Sequence, residues 1–128
     1  MEAMIHLDTH VVAWLYAGRL DLFPPDTRSH LETKDLVISP MVILELDYLK
    51  EIGRTNKSGK TVVDDLTARI GLTISPTPFL QIIMSARELS WTRDPFDRII
   101  VGHSIADDCR LITADSKISN HYTGAFWS

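Results

Sequence analysis

The stretch RDPFDRIIVGHSIADDCRLITADSKI, Arg93–Ile118, reads as one apolar helix followed by one apolar strand. Asp94 has the side chain of an N-cap, and Pro95 sits at the first helical position, where its missing N–H leaves no bond unmade. The helix runs through DPFDRIIVGHSIADD, and RLITAD has the composition of a buried strand. An acid stands wherever these elements open or close: Asp94, Asp97 and Asp115. Lys, Ser or Asn would finish a solvated edge as well, so the carboxylates need a reason that lies outside the stretch.

Upstream, the same alternation recurs. MIHLD is a short strand ending at Asp8, and THVVAWLYAG is a helix that stops at Gly18. LDLFPPDTRSHLETK gives a turn and a helix from about Asp26, and DLVISP a buried strand ended by Pro40. MVILELDYLKEIGR is an amphipathic helix with Val42, Leu46, Leu49 and Ile52 on one stripe. After the polar loop TNKSGK come a helix in TVVDDLTARIG, a short strand in LTIS and a helix starting near Pro78. The tail SKISNHYTGAFWS ends the domain. Strand and helix alternate without repeats or a linker. The expected fold is therefore α/β: one three-layer α/β/α domain over residues 1–128, its central parallel sheet flanked by helices.

The 128 residues suit one hydrophobic core. A formal charge of −4 argues against nucleic-acid binding through a broad basic surface. Any such binding must use local cations, or metal ions that turn an acidic site cationic. A single cysteine, Cys109, forms no internal disulfide and fits a reducing, cytoplasmic setting; it reads as a small buried apolar residue beside Leu111. No run reaches the ~18 apolar residues of a membrane span. MEAMIHLDTH has no basic start or apolar signal core, which argues against secretion.

In a parallel α/β sheet the C-terminal ends of the strands and the N-termini of the next helices share one edge. Asp8 closes the first strand, Asp115 follows LIT, Asp97 lies in the first turn of its helix, and Glu45 in the first half of the helix after LVIS. Taken singly, each has an ordinary reading. Asp8 can cap the next helix, Asp97 can complete a capping box with Asp94, and Asp115 can serve its own turn. Glu45 interrupts MVILEL away from any cap, although Asp47 and Lys50 nearby leave a solvated face open. Together the acids are harder to dismiss. Like charges ~4 Å apart repel by about 4 kcal/mol at an effective dielectric near 20, so stability alone does not gather them. A divalent cation does, and oxygen-only ligands point to a hard ion, Mg²⁺ or Mn²⁺, rather than zinc.

These segments resemble PIN domains, and specifically the VapC-type toxins of bacterial toxin–antitoxin pairs. The likeness rests on HLDTHVVAWL, ISPMVILELDYLKEIGR, TRDPFDRIIVGHSI, LITADSKI and HYTGAFW, in order along nearly the whole chain. The resemblance implies metal-binding acids at Asp8, Glu45, Asp97 and Asp115, with one or two ions, and Thr113 as a group that supports them. Asp94 belongs to the motif as the cap that positions Asp97. The implied reaction is Mg²⁺-dependent endonucleolytic cleavage of RNA leaving a 5′-phosphate and a 3′-hydroxyl. An antitoxin partner and a homodimer are implied too. Three features depart from the family pattern: His103 where small or amide residues are commoner, the poor helix former Gly102, and two acids in IADDCR where an acid–glycine turn is expected.

Arg93, Arg98 and Lys117 adjoin the acids in sequence and are the candidate RNA contacts, with Arg54, Lys57 and Lys60 on the loop. His103 reads as a packed helix residue and His6 as facing away from Ile5 and Leu7. Trp14, Trp91 and Trp127 read as packing rather than base-stacking residues. Trp14, Tyr16, Leu20, Leu22 and Phe23 fit either an apolar interface or core. Two other functions remain open at this point: a PIN-like scaffold that binds RNA or protein without cutting, and an acid-cluster phosphotransfer domain. The second fits poorly, because no second Asp follows Asp8 two residues on.

Overall fold

The fold turns on β1, Met4–Leu7, which lies at the centre of a five-stranded, all-parallel sheet. The computed structural model describes residues 4–128; Met1–Ala3, part of the segment read for a leader, lie outside the described residues. On one side β1 pairs with β2 (Asp35–Ile38), His6 opposite Val37. On the other it pairs with β4 (Leu111–Ile112), Leu7 opposite Ile112. β3 (Thr73–Ile74) and β5 (Ala125–Phe126) complete the order β3-β2-β1-β4-β5. Chain order runs outward from β1 in both directions, so the topological switch falls between β1 and β4, where ligands of open α/β sheets bind.

Seven helices connect and cover the strands: α1 Thr9–Tyr16, α2 Pro25–Thr33, α3 Pro40–Glu51, α4 Gly59–Ile70, α5 Phe79–Ala86, α6 Pro95–Ala106 and α7 Ser116–His121. This is the three-layer α/β/α arrangement expected from the alternation. The caps follow the sequence chemistry. Ser39 accepts from Met41 N and has Pro40 behind it; Ser58 accepts from Thr61 N; Gly18, just past α1, takes the left-handed φ of +72°. No helix among the described residues is long and apolar enough to cross a membrane.

Ile5, Leu7, Ile38, Leu111 and Ile112 are fully buried and form the core with Val11, Val12, Leu46, Leu66 and Ile100. The α3 stripe differs from expectation at one end. Val42, Leu46 and Leu49 are buried, whereas Ile52 is 48 % exposed, because α3 stops at Glu51 and Ile52 is its C-cap. The tail also does more than end the domain: it adds α7 and the edge strand β5. Its last residue docks on α2, with Thr27 N donating to Ser128 O and Ser128 N to Thr27 Oγ1. A two-residue strand is too short for periodicity to reveal.

Gly102 is explained by packing. A Cβ there would stand 2.8 Å from Ala86 Cβ and 2.9 Å from Ala86 Cα, so the α5–α6 crossing needs a residue without a side chain. The intrinsic helix penalty of glycine, about 1 kcal/mol, is outweighed by this close approach. Gly102→Ala should therefore lower stability by about 1–2 kcal/mol despite the better helix former. Urea unfolding would show a lower midpoint at unchanged slope.

Candidate active site

Asp8, Glu45, Asp94, Asp97 and Asp115 line one cleft of about 360 Å³, together with His10, Trp14 and Ala114. Four sequence segments thus supply carboxylates to the switch between β1 and β4. Asp8 leaves β1, Asp115 follows β4, Asp94 and Asp97 open α6, and Glu45 projects from α3.

Two short turns of the same form hold this edge. In Thr113-Ala114-Asp115 the threonine Oγ1 accepts from Asp115 N at 3.1 Å, and Asp115 Oδ1 caps α7 through Lys117 N at 2.8 Å. In Thr92-Arg93-Asp94 the threonine Oγ1 accepts from Asp94 N at 3.2 Å, and Asp94 Oδ1 caps α6 through Phe96 N at 2.9 Å. Asp94 is therefore the cap the sequence suggests. Asp97 is not the other half of a capping box, because Thr92 already takes the Asp94 N–H. Asp8 Oδ1 accepts from Thr9 N at 2.8 Å, and Asp8 Oδ2 accepts from Thr113 Oγ1 at 2.6 Å, a bond that ties β1 to the end of β4.

Glu45 is 9 % exposed, and its Oε1 is buried without a hydrogen-bond partner. That settles the solvated-face reading. Asp47 turns away to accept from Gly59 N at 2.7 Å, while Glu45 faces its fellow acids. A buried carboxylate oxygen left without a donor is costly unless a cation meets it.

The electrostatics agree. Burial raises the pKa of Asp8, with the Thr113 and Thr9 hydrogen bonds pulling it back. Burial likewise raises Glu45, partly offset by the Thr9 hydroxyl. Asp97 is pushed up to about 7 by burial and by the charges of Asp8, Asp94, Asp115 and Glu45. A hard divalent ion fits this donor set: oxygen ligands, an orphaned Glu45 Oε1, and negative charges that resist ionising together.

The expected cations divide. Arg93 and Lys117 are exposed beside Asp94 and Asp115. Arg98 corrects an expectation. Its Nε donates to Ala86 O at 2.9 Å and its Nη2 to Arg87 O at 3.1 Å, so the guanidinium caps the end of α5 instead of awaiting a phosphate. Lys60 pairs with Asp64. The tryptophans pack as expected. Trp14 lies 5.9 Å from Trp127 and 6.4 Å from Phe23 between ring centres, and Trp91 stacks on His121 at 4.8 Å. Phe23 is buried core, and Leu20 is exposed. His10 and Trp14 were not foreseen at the cleft. Their place follows from Asp8 capping α1, which puts the first turns of α1 beside the acids.

A second polar cluster, unforeseen in the sequence, lies between β1 and the far end of α6. His6 Nε2 is 2.7 Å and His103 Nε2 3.5 Å from Asp107 Oδ2. Both imidazoles are fully buried, as the packed-residue reading of His103 requires.

A PIN domain family model matches residues 5–123, and the chain belongs to the PIN domain family. Three solved structures share its fold. With VapBC2 from Rickettsia felis bound to a promoter DNA fragment, identity is 19 %, coverage 98 % of this chain and 99 % of that one, and the TM-score 0.67. With a toxin–antitoxin complex from Klebsiella pneumoniae the values are 17 %, 95 %, 95 % and 0.60. With VapBC-1 from nontypeable Haemophilus influenzae they are 18 %, 98 %, 96 % and 0.58. No curated protein matches the chain.

The raised Asp97 has a thermodynamic consequence. Its folded pKa of about 7 exceeds the ordinary 3.8, so it favours the fold while protonated and loses that contribution as pH rises through about 7. In EDTA, wild-type stability should fall relative to Asp97→Asn across that interval. Because solvent reaches this half-exposed group, the difference is discounted to about 1–2 kcal/mol. Thermal melts of the pair at acid and alkaline pH would measure it; a pH-independent difference would refute the assignment.

Proposed function

We propose that this chain is a VapC-like toxin, a single PIN-like domain over residues 1–128 acting as an endoribonuclease. In this reading Asp8, Glu45, Asp97 and Asp115 would hold Mg²⁺ (or Mn²⁺), one or two ions. A cognate antitoxin would inhibit it, and the working form would be a homodimer. The observation that carries the reading is the cleft itself: acids from four segments, one of them with a buried oxygen lacking any partner and another with its pKa raised to about 7.

Bound there, a divalent ion supplies charge neutralisation at the phosphodiester and an activated water, for hydrolysis leaving a 5′-phosphate and a 3′-hydroxyl. The chain's own contribution is position. Thr113 and the Thr9 amide fix both oxygens of Asp8, each keeping a further lone pair for a cation. The Thr92 and Thr113 turns aim Asp94 and Asp115 through the helices they cap. Arg93 and Lys117 are the exposed cations that would meet RNA phosphates on either side of the acids.

The likeness to three toxin–antitoxin assemblies supports an antitoxin partner. Exposed apolar residues support a further contact surface: Leu44 and Phe79 line one groove, and Leu80 and Met84 are exposed on α5.

A broad RNA panel, incubated with wild type and Asp97→Asn in Mg²⁺ or EDTA, tests the reading. Cleavage should require Mg²⁺ and fall by about 10²-fold or more in the variant. Cleavage that persists equally in EDTA, or in Asp97→Asn, would refute it. RNA binding without cleavage would identify a scaffold.

A further inference from the structure

The His6, His103 and Asp107 cluster lies outside the acidic cleft and plays no part in the function proposed above. Its Asp107 is fully engaged. Ser75 Oγ donates to Oδ2 at 2.8 Å, Thr77 Oγ1 donates to Oδ1, and His6 Nε2 reaches Oδ2 at 2.7 Å. Burial works against ionising Asp107, yet these bonds prevail and hold its pKa below the usual value, so it is an anion at neutral pH. The imidazoles are not so well served. His6 Nδ1 and both nitrogens of His103 are buried with no hydrogen-bond partner, although His103 is 0 % exposed. Three orphaned ring nitrogens around one buried carboxylate are costly for a purely structural network.

We infer that His6, His103 and Asp107 form a second metal site, for a first-row transition ion of the zinc class, distinct in chemistry from the acidic cleft. The donor set is two imidazoles and one carboxylate, which suits zinc, where the oxygen-only cleft suits Mg²⁺. The candidate ligand atoms all lie within 4.8 Å of one another. Around a tetrahedral zinc, ligand atoms stand about 3.4 Å apart, as bond lengths near 2.1 Å require. His103 Nε2 and Asp107 Oδ2 already stand at 3.5 Å. His6 Nε2 and Asp107 Oδ2, at 2.7 Å, would open by a fraction of an ångström on exchanging a hydrogen bond for the ion. Ser75 and Thr77 hold the carboxylate from behind, in the manner of the outer hydrogen bonds that orient metal ligands. Asp107, with a side chain 9 % exposed, connects the cluster to solvent.

The placement gives the site a structural consequence. His6 shares β1 with the approach to Asp8, and His103 shares α6 with Asp97. An ion joining them pins α6 to β1 and to the Ser75–Thr77 loop, and so sets how far Asp97 stands from Asp8.

The test uses the full chain, stripped by chelator and then held in excess Mg²⁺ to occupy the acidic cleft. Zn²⁺ is titrated against a chromophoric chelator, and Co²⁺ is added separately to read coordination from its visible absorption. Wild type should take up one equivalent of Zn²⁺ and give a Co²⁺ spectrum of low coordination number. His103→Gln and Asp107→Asn should each weaken uptake about tenfold or more, while Asp97→Asn leaves it unchanged. No stoichiometric uptake in excess Mg²⁺, or uptake lost in Asp97→Asn and kept in His103→Gln, would overturn the site. Should either cluster variant fail to fold, imidazole nitrogen shifts in wild type decide. Zn²⁺ must move the ring resonances of both His6 and His103, and silence in either refutes the assignment. RNA cleavage is not the readout, so the metal site and the nuclease reading fail separately.

Discussion

Carboxylates crowded at one edge of a parallel sheet repel one another, and burial makes each harder to ionise. The fold sustains this crowding with backbone N–H groups. β1, β4 and the turn before α6 all deliver the chain to the same edge, so three helices begin there, and each starts on an aspartate that accepts from its first turn. The positive ends of those helices face the acids. Thr92 and Thr113 lock two of the three turns, and Thr113 also ties Asp8 across β1 and β4. Glu45 and Asp97 have no cap to serve. One keeps an orphaned oxygen and the other a pKa near 7, and these are the marks of a site whose charge balance is incomplete without a cation.

Much of this edge was legible in the chain because its signals are local. Asp94-Pro95, Ser39-Pro40 and Asp8-Thr9 announce helix starts through side-chain chemistry, and the buried strands announce themselves by composition. Convergence of the four acids then follows from topology alone. The roles of Asp97 and Glu45 were harder to separate from ordinary ones, since capping and solvation depend on competing partners far along the chain or one turn away. Thr92 removes Asp97 from the capping box, and Gly59 draws Asp47 away from Glu45. No spacing rule reveals either bond. Arg98 misled for the same reason: its neighbours in sequence are acids, but the α5 carbonyls reach its guanidinium through tertiary packing.

The features that depart from the family pattern all fall in the second half of α6 and the turn after it, and each has a physical cause. Gly102 exists because α5 crosses within contact of its Cα. His103 faces His6, with ring centres 4.9 Å apart. In IADDCR, Asp107 turns inward to the two imidazoles, and Asp108 takes the left-handed φ of +53° that a glycine would otherwise occupy. Aspartate tolerates that conformation better than most residues, so the acid pair replaces an acid–glycine turn without changing the path of the chain.

α6 therefore carries polar chemistry at both ends of one rigid rod. Its N-terminal turn presents Asp97 to the cleft, and its last turn presents His103 to β1, the strand whose exit supplies Asp8. Close packing at Gly102 leaves α6 little freedom to roll or slide against α5, because contact within an interior is tight enough for one methyl group to matter. Whatever fixes the His103 end thereby fixes the Asp97 end. The oddities near the helix C-terminus and the acids near its N-terminus answer to a single requirement, the placement of one helix across one strand.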